Sequence, residues 1–224
     1  MKLDRPLVLA SSSPRRQYLL REAGFQFTVE KPDVDEIFPD DLPPIQVARY
    51  LATLKAESFR PNLHNQIIIT ADTVVILNER ILNKPGDRRE AIEMLQSLSG
   101  QTHTVMTGVC ILSDERETTF DDTTYVTFAA LTQDEIEKYI DTFQPYDKAG
   151  SYGAQDCLPV GMNPCSPEEM AFLQSIGKES LVDKTVEPSG THDRPVLIKK
   201  IMGSYFNVMG LPIHAVHRQL IEWS

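Results

Sequence analysis

The run Gln66-Ile67-Ile68-Ile69-Thr70-Ala71-Asp72-Thr73-Val74-Val75-Ile76-Leu77 constrains the fold more than any other part of this 224-residue chain. It is almost continuously apolar, which predicts a central strand covered on both faces. Such a strand belongs to an α/β arrangement with helices packed on each side of a sheet. Asp72 interrupts the run. An ionised carboxylate there is costly unless it is paired, hydrogen-bonded or bound to metal. Asp72 is therefore either a structural cap, at a bulge or strand end, or a functional group.

A second oddity lies near the N-terminus. Leu7-Val8-Leu9-Ala10 reads as a short buried strand. Ser13 is a good N-cap and Pro14 suits the first helical position, so a helix is predicted from Arg15 to Ala23. Arg15 and Arg16 then stand in the first helical turn, where cations oppose the macrodipole at about 0.3–1 kcal/mol each. An anion would compensate. Ser11, Ser13, the free amides of a helix start and two guanidinium forks would together cradle a polyphosphate. The alternative is a surface helix with two solvated arginines.

The remaining elements follow from periodicity and caps. Phe25 to Lys31 reads as a strand, and Asp33-Val34-Asp35-Glu36 as an acidic turn that matters only if it faces a metal or the arginines. Pro43 to Arg60 reads as a helix. At 100° per residue Ile45, Ala48, Ala52, Ala56 and Phe59 share an arc, and Lys55 falls inside it. A lysine there either snorkels to the edge or meets a buried anion. Arg80 to Leu82 is a short strand, and Lys84 sits in the turn after it. A helix capped by Asp87 runs to Leu98. Gln101 to Leu112 and Glu117 to Phe128 read as long strands, with His103 expected to be structural. Thr132-Gln133-Asp134-Glu135 is a capping box opening a helix to Phe143. Pro145 to Gln155 is a glycine-bearing loop with Lys148 and Gln155 as donors. It fits neither a dinucleotide fingerprint nor a Walker A loop. From Asp156 to Pro195 prolines, glycines and charges surround one helix capped by Ser166. Ile198 to Met202 returns as a strand, Gly203 to Pro212 is a loop, and a last helix runs to Trp223.

Composition excludes several classes. The net charge of −10 argues against a nucleic-acid-binding surface. No purely apolar run exceeds four residues, so no membrane span is expected. The three cysteines, at 110, 157 and 165, form no metal-binding or disulfide pattern, and a cytoplasmic setting is expected.

Six stretches, taken together, resemble the Maf family. They are Ser11-Ser12-Ser13-Pro14-Arg15-Arg16, Ala71-Asp72-Thr73, Lys84-Pro85, Ser99-Gly100-Gln101-Thr102-His103, Asp147 to Gln155 and Gly203 to Pro212. Their order and spacing fit from the N-terminus to Gln155 and again from Ile198 to the end. The resemblance implies an α/β fold with a mixed central sheet flanked by helices, related to the inosine triphosphatases. It implies hydrolysis of a nucleoside triphosphate between the α and β phosphates, giving a monophosphate and pyrophosphate. Asp72 then matches the proton acceptor that activates water. Arg15, Thr73 and Gln155 match positions of substrate choice in the branch that prefers dTTP and UTP. Glu36, Lys55, Lys84 and Lys148 match the family's polar pocket: Glu36 joins Asp72 as a metal ligand, and the lysines join Ser11, Ser13 and Arg16 in holding phosphate or nucleotide. The implied cofactor is Mg²⁺ or Mn²⁺, and the implied assembly is a homodimer.

One departure is the segment at about 156–197, which is several times longer than the family's usual connection. The expectation is one domain over residues 1–224 with an insertion there. Alternatives to dTTP and UTP hydrolysis are the same chemistry on another base such as 7-methyl-GTP, a nucleotide-binding regulator of cell division with little turnover, or a structural α/β domain.

Overall fold

The computed structural model describes residues 3–182 and 195–223. The strand run forms β3, Ile67–Leu77, with every residue buried except Thr73 and Ile76. On one side lies β1, Leu7–Ala10, pairing in parallel with β3 through Leu7↔Ile67, Val8↔Ile68 and Leu9↔Ile69. Beyond β1 is β2, Thr28–Glu30, also parallel and shorter than the predicted strand from 25 to 31. The other strands are β4 (Arg80–Leu82), β5 (Thr102–Leu112), β6 (Glu117–Phe128) and β7 (Ile198–Met202). The sheet follows the order β2-β1-β3-β5-β6-β7, with β4 paired antiparallel to β3 and β7 antiparallel to β6. The sheet is thus mixed, as expected.

The chain divides into two compact units through which β3, β5 and β6 each run. The first comprises residues 1–73, 106–122 and 206–224, and the second 74–105 and 123–205. In the first, α1 (Pro14–Glu22) follows β1 directly, capped by the Ser13 side chain, which accepts from the Arg16 amide. Helix α2 (Pro44–Glu57) covers the sheet with small residues. Ala52 and Ala56 pack with Val8, Ala10, Ile68, Cys110 and Leu112, and Phe59 and Leu63 close the edge of this cluster. The approach is tight. A Cβ on Gly108 would lie 2.5 Å from the carbonyl carbon and oxygen of Ala48. The Thr70 hydroxyl donates to the Ala52 carbonyl at 2.6 Å. The buried face of α2 is Val47, Ala48, Leu51, Ala52, Lys55 and Ala56. Ile45, expected on that face, is 55% exposed, and the buried stripe begins two residues later at Val47. The last helix, α8 (Ile213–Ile221), also belongs to this unit.

The second unit holds α3 (Arg88–Leu98), capped by Asp87, and α4 (Gln133–Phe143), opened by the predicted capping box. The loop from Pro145 carries two 3₁₀ turns and a short helix, α5 (Ala154–Cys157). Part of the expected insertion, residues 183–194, lies outside the described residues. Its helix is α6, Pro167–Ser175. Glu169 of α6 is fully buried. One carboxylate oxygen accepts from the Ser204 hydroxyl at 2.6 Å, and the other from the amides of Tyr205 and Ser166 at 3.0 and 2.9 Å. The segment from Gly203 to Pro212, expected to be all loop, contains the short helix α7, Tyr205–Val208. No helix among the described residues is long and apolar enough to cross a membrane.

His103 lies inside this unit against Phe128 and Tyr152, with ring centroids 5.1 and 5.4 Å away. One ring nitrogen, Nε2, shares a hydrogen bond of 2.7 Å with the Tyr152 hydroxyl. Burial pushes its pKa down to about 4. The folded state therefore holds the imidazole neutral, and the stability associated with that is complete above pH 6.5. It is lost as pH falls from 6.5 to 4, because only the unfolded chain takes up the proton there, by about 3 kcal/mol in all. Urea unfolding at pH 7 and pH 4 should show a smaller acid loss in His103→Gln than in the wild type, by about that amount. Equal losses would contradict the buried neutral imidazole.

Candidate active site

Asp72 is 9% exposed and Lys55 6% exposed. Lys55 occupies the last turn of α2, where a cation complements the macrodipole. Its Nζ donates to Asp72 Oδ1 at 2.5 Å and stands 3.0 Å from Glu36 Oε2. Glu36 comes from the acidic turn and is more than half exposed, so this cluster runs from the interior to the surface. Two carboxylates thus share one ammonium. Sequence alone offered a carboxylate in a buried strand and a lysine on an apolar helix face, and each is the other's partner. A buried ion pair contributes little net stability, but removing one member leaves an uncompensated charge.

The second cluster adjoins the first through β3. Arg16 directs its guanidinium at three protein acceptors: Nε donates to the Gly210 carbonyl at 2.7 Å, Nη1 to the Ala71 carbonyl at 2.7 Å and Nη2 to Thr73 Oγ1 at 3.0 Å. Burial lowers its pKa from the ordinary arginine value. The charges of Asp72 and Glu36 oppose that shift and Arg15 adds to it. Thr73 Oγ1 lies 2.9 Å from Thr107 Oγ1, and Thr107 donates its proton to the Asn207 carbonyl at 3.1 Å. Thr107 has no second proton, so the Thr73 hydroxyl is the donor between the two. Ser11 and Ser13 shape the turn before α1. Ser11 Oγ accepts from the Ser13 amide at 3.2 Å, and Ser13 caps the helix. Arg15 is partly exposed in the same turn.

The first unit therefore gathers Ser11, Ser13, Arg15, Arg16, Glu36, Lys55, Asp72 and Thr73. In the second unit Lys148 and Gln155 converge on Gly153. A Cβ at Gly153 would meet Gln155 Nε2 and Lys148 Cε at 3.0 Å and Asp156 Oδ2 at 2.5 Å. Lys148 Nζ also pairs with Asp147 Oδ1 at 2.8 Å. Two successive left-handed residues, Gly150 at φ 68° and Ser151 at φ 63°, build the bend that turns the backbone between Lys148 and Gly153. Lys84 is exposed in its turn. Thr107 and Gly210 were not singled out from sequence. Thr107 is one of several threonines in β5 and β6, with nothing local to set it apart.

Among the described residues no group of three or more His, Cys, Asp and Glu side chains stands together as a metal cage. Two carboxylates suit Mg²⁺ or Mn²⁺ when the remaining ligands are water and phosphate oxygens. The donor set of Asp72 and Glu36 fits such an ion.

An α/β protein with a carboxylate–ammonium pair sunk in its central strand, beside a helix that begins with two arginines, is an enzyme scaffold suited to a polyanion. The sequence identifies which one: residues 6–162 match the family described as Maf-like protein, and the chain belongs to that family. Several relatives are called dTTP/UTP pyrophosphatase. That of Bacteroides fragilis strain YCH46 is 40% identical, over 97% of this chain and 96% of its own length. That of Porphyromonas gingivalis strain ATCC 33277 is 38% identical over 97% and 94%, and that of Bacillus pumilus strain SAFR-032 is 39% identical over 96% and 94%.

The shared ammonium makes a direct prediction. Lys55→Met should lower stability by about 3 kcal/mol by leaving Asp72 buried without its cation. Asp72→Asn combined with Lys55→Met should recover part of that loss, which urea unfolding of the two single variants and the double variant would measure. Additive losses would show that the pair is not coupled.

Proposed function

We propose that this protein is a nucleoside triphosphate pyrophosphatase that hydrolyses dTTP and UTP to the monophosphate and pyrophosphate. The observation that carries the reading is the buried Asp72, held by Lys55 and linked through it to Glu36. The pyrophosphatase name carried by relatives at up to 40% identity over nearly the whole chain supports the substrate.

In the proposed reaction a water oxygen forms a bond to phosphorus, the α–β bridging P–O bond breaks, and pyrophosphate leaves with the bond's electron pair. The water proton passes to Asp72. Lys55 fixes the orientation of the Asp72 carboxylate. A Mg²⁺ or Mn²⁺ ion on Asp72 and Glu36, when bound, supplies neutralisation of phosphate charge. The reading assigns Ser11, Ser13, Arg15, Lys84 and Lys148 to contacts with phosphate or nucleotide. It assigns Thr73 and Gln155, together with Arg15, to the choice of base. The whole chain is proposed as one catalytic module with 156–197 as an addition to it, working as a homodimer in the cytoplasm. The free thiols of Cys110, Cys157 and Cys165 suit a reducing compartment.

The test is pyrophosphate release from dTTP, UTP, CTP, 7-methyl-GTP, ATP and GTP with Mg²⁺. dTTP and UTP should be turned over best. Asp72→Asn should lower kcat by about 10²–10⁴-fold while the variant still binds dTTP. Preference for another base would overturn the substrate assignment. Nucleotide binding without turnover by the wild type would favour a sensing role.

A further inference from the structure

We infer that Arg16 acts as a positioning residue, a clamp on both sides of Asp72, and not as a phosphate ligand. The inference deepens the proposed function and rests on the role given there to Asp72.

A guanidinium has five N–H groups in a rigid plane. A phosphate-binding arginine presents a pair of them outward as a fork. In Arg16 the Nε–H, one Nη1–H and one Nη2–H already meet Gly210, Ala71 and Thr73 at 2.7, 2.7 and 3.0 Å. Nη1 also lies 3.5 Å from Ser11 Oγ. The plane of the group is fixed by three well-separated protein acceptors, and Nε, Nη1 and Nη2 each spend a donor on the protein.

Those acceptors have a pattern. Ala71 and Thr73 are the neighbours of Asp72 in β3, and one guanidinium binds both. Side chains alternate along a strand, so Asp72 points away from the face that Thr73 presents. Arg16 therefore fixes the backbone of the reacting residue from one face while Lys55 fixes its carboxylate on the other. The third acceptor closes the arrangement. Gly210 adopts φ 107°, a conformation that side-chain-bearing residues rarely take, and so brings its carbonyl to Arg16 Nε. Beyond Thr73 the hydrogen bonds continue to Thr107 and then to the Asn207 carbonyl. Arg16 stands at the head of this chain. Its donation leaves the Thr73 proton directed at Thr107, since the other acceptor within reach, the Gly210 carbonyl, is farther at 3.5 Å.

This also accounts for a cation in the first turn of α1. Carbonyl dipoles and the nearby carboxylates of Asp72 and Glu36 compensate Arg16 within the protein itself.

Lysine keeps the charge of Arg16 but cannot span three acceptors in one plane. In Arg16→Lys and Arg16→Gln, kcat for dTTP should fall at least 30-fold in both, with KM changed less than 3-fold. The dissociation constant for inorganic pyrophosphate with Mg²⁺, measured by calorimetry, should also change less than 3-fold in both. Thr107→Val keeps shape and removes the acceptor beyond Thr73. It should show a smaller loss confined to kcat, about 3- to 10-fold, and it keeps the test open should the Arg16 variants fold poorly. The inference is overturned if pyrophosphate binding weakens 10-fold or more in Arg16→Gln and is restored in Arg16→Lys together with kcat. It is equally overturned if Thr107→Val and Arg16→Lys both keep full kcat. Failure of the wild type to release pyrophosphate from dTTP or UTP would count against the proposed function. The calorimetric comparison would then still decide whether Arg16 holds phosphate.

Discussion

The contact between Lys55 and Asp72 is the constraint on which the rest of the structure depends. A carboxylate in the central strand of an α/β sheet is tolerated only when it is paired, hydrogen-bonded or bound to metal, and here the partner arrives through the covering layer. Helix α2 supplies that partner, and its small residues make the delivery possible. Ala48, Ala52 and Ala56 lie on the face that carries Lys55. They let the helix approach until the Thr70 hydroxyl reaches a helix carbonyl and Gly108 has no room for a Cβ. A larger side chain at Ala52 would lift the helix and withdraw Lys55 from Asp72. Packing and electrostatics are thus one requirement, because core alanines and a strand glycine are what allow the ion pair to form.

The arginines of α1 show how strong local charge is managed in a chain with a net charge of −10. β1 ends at Ala10, the turn through Ser11 and Ser13 follows, and α1 starts at the carboxyl end of a parallel strand. That is where α/β sheets commonly place ligands. The parallel register of β1 with β3 brings this turn level with Ala71. Arg16 then turns inward to the strand, while Arg15 stays partly exposed beside it. Two adjacent residues of the same type thus differ in setting, one bonded to the strand that carries Asp72 and the other partly exposed.

Much of this was legible in the sequence because the informative residues violate a local rule. A carboxylate in an apolar run marks Asp72. A lysine in an apolar helical arc marks Lys55. Adjacent arginines in a first helical turn mark Arg15 and Arg16, and the capping box at Thr132 and the cap at Ser166 are present as read. What could not be read depends on distant partners. The acceptors of Arg16 lie 55, 57 and 194 residues away, so no local pattern shows that carbonyls and a hydroxyl surround it. Thr107 breaks no rule in a threonine-rich strand. Glu169 stands in the sequence three positions after the capping Ser166. Its burial against Ser204 and Tyr205 joins α6 to a segment 35 positions later, which no local pattern encodes. Ile45 shows the limit of periodicity: an apolar residue in helical phase still faces solvent when it precedes the turn that meets the sheet.

The central claim is that the Asp72 cluster directs water to the bond between the α and β phosphates. Phosphorus NMR of dTTP incubated with the protein and Mg²⁺ tests it most directly, because each cleavage position gives its own set of resonances. The account predicts dTMP and pyrophosphate appearing in equal amounts as dTTP disappears, with neither dTDP nor orthophosphate formed. Appearance of dTDP and orthophosphate would place the attack at the terminal phosphate and contradict it.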